Sequence, residues 1–269
     1  MSSGWMIHVV AQVAGCDAEV YLNDVPVARL LQYQSAAVSM PVHPWIVAGP
    51  NVLRLVVNPG PVPAQALTQG AGGAIGADAK ARARIVVVPL GELPDNDTKP
   101  LLEAVFVAQL AKAQTGPVVV GTSGDLPVAY GRRLWERPSP LAALTPDIIA
   151  SALSFVSQVR EVLQQGEARR LATLMRPKIA DTAASYGMDG EQELVGLVRK
   201  WEAFAKSPNW KLAPVVPEQA SLRLCGGGRF IECVGKDWLP LIRMQDLSAG
   251  GVMLRMGIAS AGGQWAVVA

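Results

Sequence analysis

The sequence predicts two domains: an all-β antiparallel sandwich with a jelly-roll-like order, then an α+β domain with helices packed on a curved antiparallel sheet. Three observations lead to that fold class. The chain has 269 residues, half of them apolar, enough for two cores. Up to residue 138 it carries short alternating apolar runs separated by turn residues, which is the pattern of a sandwich. From Thr145 the apolar spacing changes to three and four, and beyond Trp210 it returns to alternation. Helices followed by a meander are an α+β order. The expected division is a sandwich over 1–138, a linker over 139–144 and an α+β domain over 145–269.

Composition narrows the function classes. Charged residues are 17% and the formal net charge is +2. That is neither the highly charged composition of a disordered chain nor the basic surface that binds nucleic acid by neutralising phosphates. No apolar run approaches the roughly 18 residues of a membrane span. The first sixteen residues, MSSGWMIHVVAQVAGC, have no basic start and no long apolar run. They read as a strand rather than as a secretory or lipoprotein signal. Three cysteines are too few and too odd for a disulfide framework. Cys225 and Cys233 flank three glycines. A two-residue Gly227-Gly228 turn sets their side chains on opposite faces, and a three-glycine loop sets them on one face but four residues out of register. Neither geometry can be bridged. Buried free thiols and a cytoplasmic location are expected.

In the first domain, residues 5–14 read as a strand. Asn23-Asp24 between Val20-Leu22 and Val25-Leu30 signals a hairpin, with Pro26 confining the second arm to an edge or a strand start. Ala36–Val42 is a further short strand. In WIVAGPNVLRLVVN, residues 45–58, a Gly49-Pro50-Asn51 corner precedes a strand with Leu53, Leu55 and Val57 on one face. Asn51 is expected to satisfy local backbone groups there. Residues 59–79 are rich in Gly, Ala, Pro and Gln and read as a long exposed loop. The GAGGAIG within it follows no strand and opens no helix, so it is not a dinucleotide fingerprint. Arg82–Leu90 is a strand, and Leu101–Leu110 reads as either helix or strand. Pro117–Val120 and Leu126–Tyr130 read as strands. Glu92, Asp95 and Asp97 lack the spacing of a calcium loop and read as a solvated turn. YLNDVPV, a strand, and WIVAGPNVLRLVV together resemble the galactose-binding-like jelly-roll domains attached to many glycoside hydrolases. That resemblance implies a carbohydrate-binding module as an alternative function.

In the second domain Thr145-Pro146 is a helix start. Ile149, Ala152, Val156, Val159 and Leu163 form its apolar face and Gly166 its end. A short helix from Glu167 is expected to stop at Pro177, with a third piece over Lys178–Tyr186. Asp189 caps the next helix, with Leu194, Leu197, Val198, Trp201 and Phe204 on one face. Strands are expected over Leu222–Cys225, Arg229–Val234, Trp238–Met244, Val252–Ala259 and Gln264–Val268, with turns at Gly250-Gly251 and Gly262-Gly263. The order resembles the NTF2-like, or cystatin-like, cone folds. Some of those are enzymes with an Asp or Tyr inside the cone.

Chemistry is sparsely signalled. Both histidines, His8 and His43, precede Pro44, so the second domain holds no histidine for a triad or a metal site. No HExxH, GxSxG, CxxC or Walker A pattern occurs. No cofactor or metal is expected. Asp181 reads as an ion-pair partner, Asp189 as a cap, Asp237 as a turn residue, and Asp246 stands among the acids with no assigned role. Glu232, between Ile231 and Cys233, points to the opposite face from both and is expected at the surface. The cavity candidates are Tyr186, Trp201, Glu232 and Trp238. Trp135 among Arg132, Arg133, Glu136 and Arg137 is a candidate interface, since Trp and Arg are enriched at hot spots. The expected function is a non-catalytic protein-binding role of an accessory, adaptor or immunity kind. The alternatives are a small-molecule binder or enzyme using the cone, and the carbohydrate module. The expected partner is another protein, with self-association left open and no nucleic acid or membrane.

Overall fold

A computed structural model describes residues 4–31, 37–109, 114–128, 130–247 and 251–269. The chain divides into two compact units, Met1–Arg133 and Leu134–Ala269. The first is β-rich and the second is α+β. No helix among the described residues is long and apolar enough to cross a membrane.

The first unit contains β1 (Trp5–Ala14), β2 (Ala18–Leu22), β3 (Val25–Leu30), β4 (Ala37–Pro41), β5 (Pro50–Val57), β6 (Ala74–Ile75), β7 (Lys80–Pro89), β8 (Leu102–Val107), β9 (Gln114–Thr115) and β10 (Val118–Asp125). They form two four-stranded antiparallel sheets, β4-β1-β7-β8 and β10-β5-β2-β3. Period-two alternation gives each sheet one apolar face. Ile7, Val9 and Ala11 of β1 and Ala83 and Ile85 of β7 meet Val20, Leu22, Leu53 and Leu55 of the other sheet in one core. β3, with its Pro26, is an edge strand, as expected. Within the stretch expected as helix or strand, Leu102–Val107 is a strand, β8, and Leu110 lies outside the described residues. Residues 126–128 and 130 are not strand, and Ala36 lies outside the described residues.

A polar lock sets the corner between β2 and β5. Asn23 and Asp24 have φ of 53° and 63°, the two-residue turn that matches strand twist. The buried Asn51 side chain donates to the Val47 and Gly49 carbonyls at 3.2 and 2.9 Å. Its Oδ1 accepts from the Val47 amide at 3.0 Å and from Asn23 Nδ2 at 2.7 Å. Asn23 Nδ2 also donates to the Trp45 carbonyl, and its Oδ1 accepts from the Val52 amide. The segment 59–79 is tied down rather than freely exposed. β6 pairs with β9, and Asn58 Nδ2 donates to the Ala74 carbonyl at 2.9 Å. A Cβ on Gly72 would stand 2.0 Å from the Asn58 carbonyl oxygen, so within GAGGAIG it is Gly72 that serves close backbone approach.

The second unit holds α1 (Pro146–Gln164), α2 (Ala168–Ser185) and α3 (Gly190–Ala205), then β11 (Ala220–Cys225), β12 (Phe230–Gly235), β13 (Ile242–Arg243), β14 (Met253–Leu254), β15 (Gly257–Ala261) and β16 (Gln264–Val267). The main sheet runs β11-β12-β15-β16, and β13 pairs with β14. Thr145 caps α1 by accepting from the Ile148 amide at 3.3 Å. Gly166, at φ 70°, ends it, with the Glu167 amide donating to the Val162 carbonyl and the Gly166 amide to the Leu163 carbonyl. Asp189 caps α3 through the Glu191 and Gln192 amides. Val156, Val159, Leu163, Leu171, Met175 and Trp201 form one core with Leu222, Ile231, Cys233, Ile258 and Val267.

Two expectations are corrected. α2 does not stop at Pro177 but runs through it. Thr173 and Pro177 are both exposed, so the carbonyl that loses its N–H partner is left to water. The strands expected over 238–244 and 252–259 are shorter, because Trp238 takes φ 69° in a turn and only Val234 bridges Pro240. The segment after Arg133 is hydrogen-bonded to the second unit. The Leu134 amide donates to Asp181 Oδ1 at 3.1 Å, Arg229 donates to the Pro138 carbonyl at 2.9 Å, and the Leu141 amide donates to the Gly228 carbonyl at 2.8 Å. Gly250 of the expected Gly250-Gly251 turn lies outside the described residues.

Asn51→Ala removes four side-chain hydrogen bonds and leaves buried backbone groups unpaired. A loss of about 2–3 kcal/mol is expected, read as a lowered urea midpoint for the first unit.

Candidate functional site

The sheet of the second unit is buried on both faces along β12, where every residue from Phe230 to Gly235 is inaccessible. Register sorts its side chains. Leu222 pairs with Cys233 and Leu224 with Ile231, and Ile231 and Cys233 join the helix core. Arg223 lies opposite Glu232 and Cys225 opposite Phe230, so these four share the other face. A four-residue Gly226–Arg229 turn joins the strands. Cys225 and Cys233 accordingly point to opposite faces, and both are buried. Burial raises the pKa of the Cys233 thiol, with Glu232 adding to the effect.

Glu232 is buried, not at the surface as its sequence context suggests; it is only 4% exposed. Arg223 Nε donates to one carboxylate oxygen at 2.6 Å, and Arg255 donates to the other from Nη2 at 2.8 Å and Nε at 3.2 Å. The Arg223 guanidinium stands 5.4 Å from the centre of the Trp238 ring. Both carboxylate oxygens are therefore occupied by guanidinium donors. This arrangement orients two arginines more readily than it moves a proton. Glu232→Gln should lower the unfolding free energy by about 3 kcal/mol. That is the low end for breaking a buried pair, since the Arg255 side chain is half-exposed. Asp237→Asn, which removes the more exposed Arg243 pair, should cost under about 1 kcal/mol in the same denaturation.

The other cavity candidates do not gather around Glu232. Tyr186 ends α2, followed by Gly187 at φ 67°. Trp201 is buried in an aromatic cluster, 5.8 Å from the Phe204 ring and 5.9 Å from the Trp210 ring. Trp210 Nε1 donates to the Leu163 carbonyl at 3.1 Å. Aromatic side chains fill the space beside α3. Among the interface candidates, Arg132 and Arg137 are exposed, whereas Arg133 and Trp135 are buried. Trp135 meets Phe230 edge-on at 6.1 Å, and a Cβ on Gly226 would stand 2.9 Å from its ring. A large aromatic beside a glycine turn is taken up in packing rather than displayed.

Two groups escaped the sequence. In the first unit, the buried His43 accepts from the Ile7 amide through Nε2 at 2.8 Å. Its Nδ1 therefore carries the proton and donates to the Tyr130 hydroxyl at 2.6 Å. The Arg133 guanidinium lies 4.3 Å from the centre of the Tyr130 ring. Burial raises the pKa of the Tyr130 hydroxyl, partly offset by Arg133. The only hint was the aromatic-basic run YGRR. In the second unit, Lys178 Nζ donates to the Arg255 carbonyl at 3.4 Å. Burial, then the Arg255 charge, bring its pKa down to about 8.

The folded pKa of Lys178 lies below its unfolded value of 10.5. Between those values the unfolded chain holds the extra proton, so the contribution of Lys178 to stability rises with pH across that window. In thermal melts from pH 8 to pH 10.5 the difference in melting temperature between the wild type and Lys178→Met should shift in favour of the wild type as the pH rises.

An open groove of about 580 Å³ runs along the first turns of α1. Pro146, Ile149, Ala150, Leu153, Ser154 and Ser157 form one wall, and Val215 and Pro217 the other. Among the described residues, no charged side chain lines it. The sequence hides it because the second wall comes from an irregular segment some sixty residues away. Among the described residues, no group of three or more His, Cys, Asp or Glu side chains could hold a metal ion. No protein-family model, curated protein or solved structure matches the chain.

Proposed function

We propose that the chain is a non-catalytic, cytoplasmic, protein-binding protein of an accessory, adaptor or immunity kind. In this reading the first unit is a jelly-roll-like, galactose-binding-like sandwich and the second an NTF2-like domain. The observation that carries it is the α1 groove. Its walls are aliphatic, proline and serine side chains. An uncharged apolar trough suits aliphatic or aromatic side chains of a partner and disfavours a charged ligand, which would lose hydration there without compensation. The two prolines at its walls reduce the backbone freedom lost on binding. The groups with catalytic potential support the reading too. The carboxylate oxygens of Glu232 and the ring nitrogens of His43 hold structural partners.

Ala150 is exposed on the groove wall, so Ala150→Arg fills the groove without entering the core. Purification from the source cells should give one stoichiometric protein partner with the wild type. Ala150→Arg should lose it while melting at the wild-type temperature. Retention of the same partner by Ala150→Arg, or no stoichiometric partner with the wild type, overturns the proposal.

A further inference from the structure

The first unit exposes an edge strand that lacks the usual protection. β8 ends the sheet β4-β1-β7-β8. Native edge strands are commonly blocked by proline, bulges or unpaired charge, since an open row of N–H and C=O groups templates another strand. β4 finishes on Pro41, and β3 contains Pro26. β8 is LEAVFV, regular along its pairing with β7 and free of proline and lysine. Its one charge, Glu103, is neutralised within its own sheet by Arg82 at 2.5 Å.

The phase of the ladder shows what the edge offers. The Ala108 amide donates to the Ala79 carbonyl at 2.9 Å. In an antiparallel ladder the bonded residues alternate, so Leu102, Ala104 and Phe106 turn their backbone groups toward β7. Glu103, Val105 and Val107 direct theirs to the open side, where β8 pairs with no other strand among the described residues. Val105 and Val107 are 49% and 57% exposed.

We infer that β8 is a self-association edge, through which two copies of this chain pair antiparallel and join their sheets. The register centred on Val105 favours a second copy as occupant. It sets Val105 against Val105 of the second copy and Glu103 against Val107 of the second copy, so no like charges face each other. Apolar residues set directly opposite each other stabilise a strand pair, and like charges there destabilise it. This inference is independent of the α1 groove.

Sedimentation over a concentration series tests it. The wild type should reach twice 28.4 kDa. Val105→Lys should weaken that dimer about tenfold or more, since two lysines then face each other across the axis, while melting as the wild type does. In Val105→Cys the introduced thiol is exposed and the three native thiols are buried, so a short bis-maleimide should yield a covalent dimer. Val119→Cys, on the exposed face of β10, should not. A wild type that stays monomeric throughout, a Val105→Lys dimer of unchanged strength, or no preference for Val105→Cys in cross-linking overturns the inference.

Discussion

Burying the Glu232 carboxylate is the constraint on which the second unit depends. β12 is covered on both faces, and burying a carboxylate there is costly unless its oxygens are paired. Two arginines do this from different places in the chain: Arg223 directly across the β11–β12 ladder, and Arg255 just before β15. Pairing Glu232 therefore ties three parts of the fold together. The opposite face of the same strand is purely apolar and carries the helices through Ile231 and Cys233. One strand thus serves an ionic layer and a hydrophobic layer with alternate residues.

The first unit obeys the same rule with neutral groups. Asn23 and Asn51 satisfy each other and the backbone around the corner. His43 joins the Ile7 amide to the Tyr130 hydroxyl. Each is a polar side chain that keeps buried donors and acceptors paired where the regular ladder stops. Residues that would attract attention as catalytic groups are thus explained by the cost of burying polar atoms. What the fold presents outward is different in kind: an uncharged groove beside α1 and a strand edge with valines along it.

Much of the architecture was legible because it rests on local chemistry. Leu53, Leu55 and Val57 alternate, Asn23-Asp24 makes a turn, Thr145-Pro146 opens a helix and Gly166 closes it, each within a few residues of sequence. Pro177 misled because a proline costs a helix one bond and a local clash without always ending it, and here the freed Thr173 carbonyl lies on the exposed side. Glu232 misled because alternation assigns a side chain to a face without saying whether that face is covered. Trp135 looked like an interface anchor from its basic neighbours, yet its partner Phe230 lies about ninety-five residues further on. The α1 groove was invisible for the same reason: the segment Val215–Pro217 meets the helix only in the folded chain.

Photo-crosslinking in the source cells reads out whether the proposed α1 groove receives another protein. A benzophenone side chain would replace Ala150 on the groove wall, with Glu202, exposed on α3, as the control position. A discrete covalent adduct to one polypeptide is expected from position 150 and none from position 202. No adduct from 150, or the same mixture of adducts from both positions, would rule out a protein partner in the groove.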